Sequence, residues 1–203
     1  MNSIQSIRKD WDLIESLINE RSKVLDVGCG EGDLIQQLEK NLQANVHGVE
    51  KDQGMALKGI AKGLNITHGD AEKDLFQYAN QSFDYVILSQ TLQAMIEPKK
   101  ILTELLRVGS KAIVSFPNFG HWHVRLNMIV KGYSPKTKTL PYDWHNTPNI
   151  RVVTIKDFRR LCEQKKIRIC EELPLSKNSL LSALPLSFSN LLSQQGLFVL
   201  EKG

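Results

Sequence analysis

Cysteine is scarce in this chain. Its three copies, Cys29, Cys162 and Cys170, are odd in number and lack metal-ligand spacing. That argues against a disulfide framework and favours free thiols in a reducing cytoplasm. Long apolar runs are missing too, since nothing approaches the roughly 20 residues that a membrane-spanning helix needs. The first six residues lead into a charged amphipathic stretch and not into a signal-peptide core. Internal repeats and low-complexity tracts are absent. The 203 residues suit one domain with a full hydrophobic core better than two. The expectation is therefore a single cytoplasmic domain over residues 1–203, with no metal and no membrane contact.

Charge is present but unevenly spread. Residues 1–120 carry 13 Lys/Arg against 16 Asp/Glu, whereas residues 121–168 carry 11 against 3. The first part suits an electropositive ligand, and the second an anionic molecule or an acidic partner, unless its basic helix faces are merely solvated.

Short apolar runs alternate with amphipathic stretches, which argues a parallel sheet covered by helices on both faces. An N-terminal helix is expected within residues 1–22, over 4–20, with Ile7, Trp11, Ile14 and Ile18 at helical spacing. Strands are expected at 23–27, 45–50, 65–68, 83–88, 111–116, 167–173 and 197–201. Helices are expected at 33–41, 54–63, 98–108 and 154–165. Pro98 suits a first helical turn, where its missing N–H costs nothing. Thr154 is a plausible N-cap, with Asp157 three positions on. Residues 117–150 read as an irregular insertion or lid, and a linker containing Pro174 and Pro185 precedes the last strand. The fold class is thus α/β: a doubly wound, mostly parallel seven-stranded sheet closed by an antiparallel last strand.

Between the first strand and the second helix lies Asp26-Val27-Gly28-Cys29-Gly30-Glu31-Gly32-Asp33. Glycine belongs where the chain turns sharply and a ligand touches bare backbone. Such a loop alone is weak evidence, because dinucleotide enzymes use a similar strand–loop–helix. The charges decide between ligands. A pyrophosphate favours a helix N-terminus free of acids, but Asp26, Glu31 and Asp33 crowd this one. S-adenosylmethionine, with its sulfonium and ammonium, suits them. Glu50 ends the second strand, where an acid can accept both ribose hydroxyls, and Asp70 follows the third, where it can accept from an adenine amino group.

These residues resemble the class I S-adenosylmethionine-dependent methyltransferases along nearly the whole chain. The resemblance implies that Gly28 and Gly30 pass the methionine part of the ligand and that Asp26 lies near its amino group. Glu50 would hold the ribose and Asp70 the adenine. The fourth-strand end, residues 88–93, would flank the transferable methyl. The cofactor set is Asp26, Gly28, Cys29, Gly30, Asp33, Glu50, Lys51, Asp70, Ala71, Ser89 and Gln90, with S-adenosylmethionine or S-adenosylhomocysteine as occupant. Longer strings at residues 82–94, 114–122, 140–144 and 147–150 resemble the MetW family of methionine-biosynthesis proteins. That closer resemblance implies a bacterial cytoplasmic protein of the homoserine branch that supports or regulates a homoserine O-acyltransferase. The alternative is an active methyltransferase on a small anionic acceptor.

Methyl transfer needs a general base only if the acceptor must lose a proton. The weak candidates are His121, His123 and Tyr142, with Asp143 and His145 beside them. His47 and His68 read as structural. The aromatics Trp122, Tyr133, Tyr142 and Trp144 suit a lid, a partner surface or ordinary packing. Residues 88–91 hold no Asn-Pro-Pro-aromatic sequence, no Pro-Cys pair occurs, and aromatic residues do not interleave the basic run at 151–168. Nucleic acid is therefore not the expected partner.

Overall fold

The computed structural model describes residues 9–137, 139–176 and 185–203. Five strands run parallel: β1 (Lys23–Val27), β2 (Asn45–Glu50), β3 (Ile66–His68), β4 (Phe83–Ser89) and β5 (Gly109–Pro117). Two more, β6 (Ile167–Leu175) and β7 (Gln195–Lys202), complete one sheet in the order β3-β2-β1-β4-β5-β7-β6. β7 is antiparallel to both of its neighbours. This is the expected doubly wound sheet with its antiparallel last strand.

The central strands are buried on both faces, which is why they read as nearly unbroken apolar runs. Alternate side chains sort to two cores. Val24, Val46, Tyr85, Ile87 and Ile113 meet Ile14 and Ile18 of the first-helix region, together with Leu34, Ile35 and Leu38 of α2 (Asp33–Leu42). The first helix itself, α1, spans Lys9–Ser16. On the opposite face Leu25, Val27, Val86, Leu88, Val114 and Phe116 meet two further helices. These are α5 (Pro98–Val108), through Ile101, Leu102 and Leu105, and α7 (Ile155–Gln164), through Ile155, Phe158 and Cys162. Two small helices sit between the early strands: α3 (Gln53–Ala61) and α4 (Ala71–Asp74).

Capping matches the sequence in two places. Pro98 opens α5. Thr154 caps α7: its hydroxyl accepts from the Asp157 N–H and donates to the Asp157 carboxylate at 2.6 Å.

Three expectations need correction. The first helix ends at Ser16 and not at residue 20, because the chain turns there and Arg21 takes a φ of 59° before β1. The part of that expectation before residue 9 lies outside the described residues, as does most of the linker between Pro174 and Pro185. Second, β6 continues through Pro174 to Leu175, pairing Leu175 with Gln195. Proline is tolerated on this edge strand because it needs no ladder donor there. Third, the insertion is not wholly irregular. It contains α6 (Trp122–Lys131), capped by His121 and closed by Gly132 at φ 67°.

The basic run on α7 is only partly solvated. Lys156 and Arg160 are exposed. Arg159 instead grips Glu172 of β6 through two contacts, Nε to Oε2 at 2.7 Å and Nη2 to Oε1 at 2.5 Å. Ser189 of the short helix Ser189–Leu192 joins them. The Glu172 side chain is only 7% exposed. Removing its partner strands a buried carboxylate. Arg159→Ala should therefore lower unfolding stability by about 2–3 kcal/mol, as read by urea denaturation. Lys156→Ala should change it by less than about 0.5 kcal/mol.

Candidate functional site

β1 ends at Val27, and the chain must reverse into α2 within five residues. Gly28, Gly30 and Gly32 all take positive φ, at 74°, 59° and 79°. A Cβ at Gly28 would also lie 2.7 Å from Thr91 Oγ1, so no other residue fits between this loop and the end of β4. Gly30 is different. The nearest atom to a Cβ there is Met55 Sδ at 4.0 Å, so its bare backbone borders open space at the sheet's C-terminal edge.

The loop is held by the end of β2. The Gly28 and Cys29 N–H groups donate to the Val49 carbonyl at 2.8 and 3.3 Å, and the Gly30 N–H donates to Glu50 Oε2 at 2.8 Å. Glu50 Oε1 accepts from the Asp52 N–H at 2.7 Å. Each Glu50 oxygen keeps a further lone pair for a hydroxyl donor. Cys29 fits because Gly48 lies beneath it: a Cβ on Gly48 would come within 2.6 Å of Cys29 Sγ. Burial, then the Asp26 and Glu50 carboxylates, push its thiol far above the usual range, so it is no nucleophile.

The remaining carboxylates separate into two groups. Asp26 is buried at the end of β1, 2% exposed. Glu31 and Asp33 turn instead toward α3, where they meet Lys58 at 2.7 Å and Lys62 at 2.8 Å. Their charge is therefore spent on lysines, and the electrostatic case for a cationic ligand rests on other acids. After β3, Asp70 caps α4, accepting from the Glu72 N–H, and pairs with Lys51 Nζ at 3.0 Å. Burial works to raise the Asp70 carboxyl, but the Lys51 ammonium and the Glu72 N–H outweigh it and hold it below its ordinary value. Ala71 is buried as the first residue of α4. His47 is hydrogen-bonded to Tyr78 and Thr67, and His68 to the Lys51 carbonyl.

A cluster that sequence reading missed lies at the ends of β4 and β5. Asp10 of α1 is 1% exposed, and its Oδ2 accepts from Ser89 Oγ at 3.0 Å and Ser115 Oγ at 3.1 Å. Asp10 Oδ1 is buried and has no partner among the described residues. Gln90, at φ 52°, points its amide at Ser115 Oγ, and its carbonyl accepts from Gln93 Nε2 at 2.6 Å. Gln93 Oε1 is a second buried acceptor lacking a donor among the described residues. The signal for Asp10 was present: it shares a helical stripe with Ile14 and Ile18, so an acid was due to be buried. Ser89 and Ser115 lie on the same sheet face as Asp26, in step with Ile87 and Ile113. Two buried acceptor atoms waiting for donors fit a ligand that carries an ammonium group.

The candidate bases follow the end of β5. His121 is buried as the N-cap of α6, its Nδ1 accepting from the His123 N–H at 3.2 Å. Burial, then the neighbouring His123, holds its imidazole below the usual value, although a hydrogen bond to the Leu192 backbone works the other way. His123 is exposed beside Asn127, and Tyr142 is half exposed. Trp122, Tyr133 and Trp144 are exposed as well. Among the described residues no cluster of His, Cys, Asp or Glu could hold a metal, and no helix is long and apolar enough to cross a membrane.

The profile of the family described as "Methionine biosynthesis protein MetW" matches residues 8–200. The chain belongs to the MetW family. It is 37% identical over 176 residues to the bifunctional methionine biosynthesis protein MetXA/MetW of Rhodopirellula baltica, an alignment covering 82% of this chain and 28% of that protein. It is 29% identical over 96 residues to the ubiquinone/menaquinone biosynthesis C-methyltransferase UbiE of Campylobacter jejuni, covering 44% of this chain and 40% of that one. The chain thus spans well under half the length of these relatives. Among solved structures, the PH0226 protein of Pyrococcus horikoshii superposes with a TM-score of 0.71 at 20% identity, covering 100% of this chain and 93% of that one. A SAM-dependent methyltransferase of Archaeoglobus fulgidus gives 0.68 at 15%, covering 98% and 97%. These two likenesses establish the methyltransferase fold of this MetW chain.

The buried His121 makes a prediction about acid stability. A histidine with a lowered folded value contributes stability above its ordinary value of 6.5, and that contribution is lost as the pH falls through the folded value. The melting temperature should fall between about pH 7 and pH 5, and less steeply in His121→Asn, which keeps a capping acceptor. Parallel curves for the two proteins would remove His121 from the account.

Proposed function

We propose that the crevice at the ends of β1, β2 and β4 takes S-adenosylmethionine or S-adenosylhomocysteine, and that the chain serves methionine biosynthesis by setting the rate of a homoserine O-acyltransferase. The observation that carries the second half is the Rhodopirellula relative, whose name joins a MetXA part to a MetW part in one protein. We read the MetXA part as the acyltransferase. A fused pair in one organism supports an associated pair of separate chains here, acting in the cytoplasm.

The first half rests on the loop. Gly28 and Gly30 bring bare backbone to the ligand, and Glu50, already ordered by the Gly30 and Asp52 N–H groups, has oxygens left for ribose hydroxyls. Asp70, held by Lys51, and the buried Ala71 close the adenine end. Asp26 and Asp10 supply buried negative charge on one face of the sheet, where the ligand's ammonium and sulfonium need it. Ser89 and Gln90 shape the methionine end. Asp33, paired with Lys62, acts at the rim of the site by fixing the loop. The bound ligand would bring a methyl group on an electrophilic sulfonium. The residues themselves bind and orient it. His121 is engaged as a helix cap, so a methyltransferase reading has to find any general base at another residue.

Two measurements test this. The rate of the same organism's homoserine O-acyltransferase should depend on this protein and should shift again on adding S-adenosylmethionine. A rate unchanged by the protein would withdraw the pathway role. In calorimetric titration Gly30→Arg should abolish binding of S-adenosylhomocysteine. Asp10→Asn should weaken it about tenfold or more and leave 5′-methylthioadenosine, which has no ammonium, unaffected. Equal losses for both ligands would mean that Asp10 acts only on the fold.

A further inference from the structure

α6 faces the wrong way for an ordinary amphipathic helix. Val124 is its one buried apolar side chain, at 3% exposure. At 100° per residue, Trp122, Leu126, Ile129 and Val130 fall within an arc of about 100°, on the far side of the helix from Val124. That stripe is open to solvent: Ile129 is 81% exposed and Val130 70%. Single exposed apolar residues need no explanation, but a contiguous stripe led by Trp122 marks an interaction site.

The helix is nevertheless well anchored at its base. Asn118, just past β5, donates to the carbonyls of Asn190 at 3.0 Å and Ser193 at 2.8 Å. Its Oδ1 accepts from the N–H groups of Gly120 at 2.9 Å and Ile155 at 3.3 Å. The residues leading into α6 are thereby tied to the end of β5 and to the turn before β7, with the His121 N–H donating to the Asn118 carbonyl at 3.3 Å, and the Gly132 cap closes the other end.

We infer that this stripe of α6 is the docking surface for the homoserine O-acyltransferase, received in an apolar groove with an acidic rim. The inference rests on the partnership proposed above and adds where the contact lies. Anchors spaced i, i+4, i+7 and i+8 are those of a helix laid into a groove. The charge selects the partner's sign: the charged residues of α6 are Arg125 and Lys131, with no Asp or Glu on the helix. A second copy of this chain would bring two basic helices together, which like-charge repulsion disfavours. An anionic membrane is also a poorer fit, because lipid-binding helices gather about four to eight cations and this helix holds two.

The decisive experiment measures binding of the purified acyltransferase to the full-length chain and to the double variant Leu126→Gln/Ile129→Gln. The expected result is a Kd at least 30-fold weaker for the double variant, with melting temperature and S-adenosylhomocysteine affinity unchanged. Phe76→Gln, which alters a residue 73% exposed on another element, should bind like the wild type. Wild-type binding that the double variant retains in full would overturn the α6 surface and leave the partnership standing. No binding by the wild type would overturn the partnership. Self-association, or sedimentation with phosphatidylglycerol vesicles, that the double variant loses while acyltransferase binding persists would reassign the stripe to a second copy or to a membrane.

Discussion

The site depends on one constraint: β1 lies in the sheet between β2 and β4, parallel to both, so the loops leaving it and β4 diverge to opposite faces. Such a switch point is where an open α/β sheet presents a crevice to a ligand. The five-residue turn after Val27 then has to pass beneath Thr91, which leaves glycine as the only choice at Gly28. The turn closes on itself through the Gly32 N–H, which donates to the Cys29 carbonyl at 3.0 Å, while the Gly28, Cys29 and Gly30 N–H groups go to Val49 and Glu50. Glu50 is thus a structural residue of the loop before it meets any ligand, and its orientation is set in advance.

The acids around this crevice divide by what they hold. Glu31 and Asp33 stitch the loop to α3 through Lys58 and Lys62, and Asp70 is steadied by Lys51. Asp10 is the exception. Two serine hydroxyls satisfy one of its oxygens, and no described residue satisfies the other. An unpaired buried carboxylate oxygen costs the fold stability, and a cation seated beside it offsets that cost. The charge argument for S-adenosylmethionine survives, but on fewer and more deeply buried acids than the loop's composition suggested.

Much of this was legible in the sequence because it is written in short-range patterns. β1 and β2 were read to the residue, and α5 from its Pro98 start, since apolar runs and glycine punctuation follow from local geometry. The loop residues and Glu50 were legible for the same reason. What escaped were features fixed by distant parts of the chain. The pairing of Glu31 and Asp33 with α3 requires two helices to meet, and the Arg159–Glu172 pair joins α7 to β6. α6 escaped for a different reason. Its apolar residues face solvent and its buried side carries only Val124, so the usual pattern of an apolar inner face does not hold. His121 followed suit: an imidazole next to a predicted crevice suggested chemistry, yet its ring caps a helix.

The two proposed surfaces share a short physical connection. Ser115 touches the Asp10 carboxylate, and Asn118, three residues on, holds the Gly120 and His121 N–H groups that lead into α6. A ligand beside Asp10 therefore acts on the strand that carries the base of the docking helix. Proximity alone transmits nothing, since a ligand shifts a partner's affinity only if it binds two states of the protein unequally. The unpaired Asp10 and Gln93 oxygens supply such a difference, because the arrangement of β4 and β5 ends that best satisfies two acceptors without a donor is not the one that best surrounds an ammonium. Any coupling is reciprocal: an acyltransferase that tightens the grip on S-adenosylmethionine is itself gripped more tightly when that ligand is bound. A MetW chain built this way would need no catalytic base to read the level of its ligand.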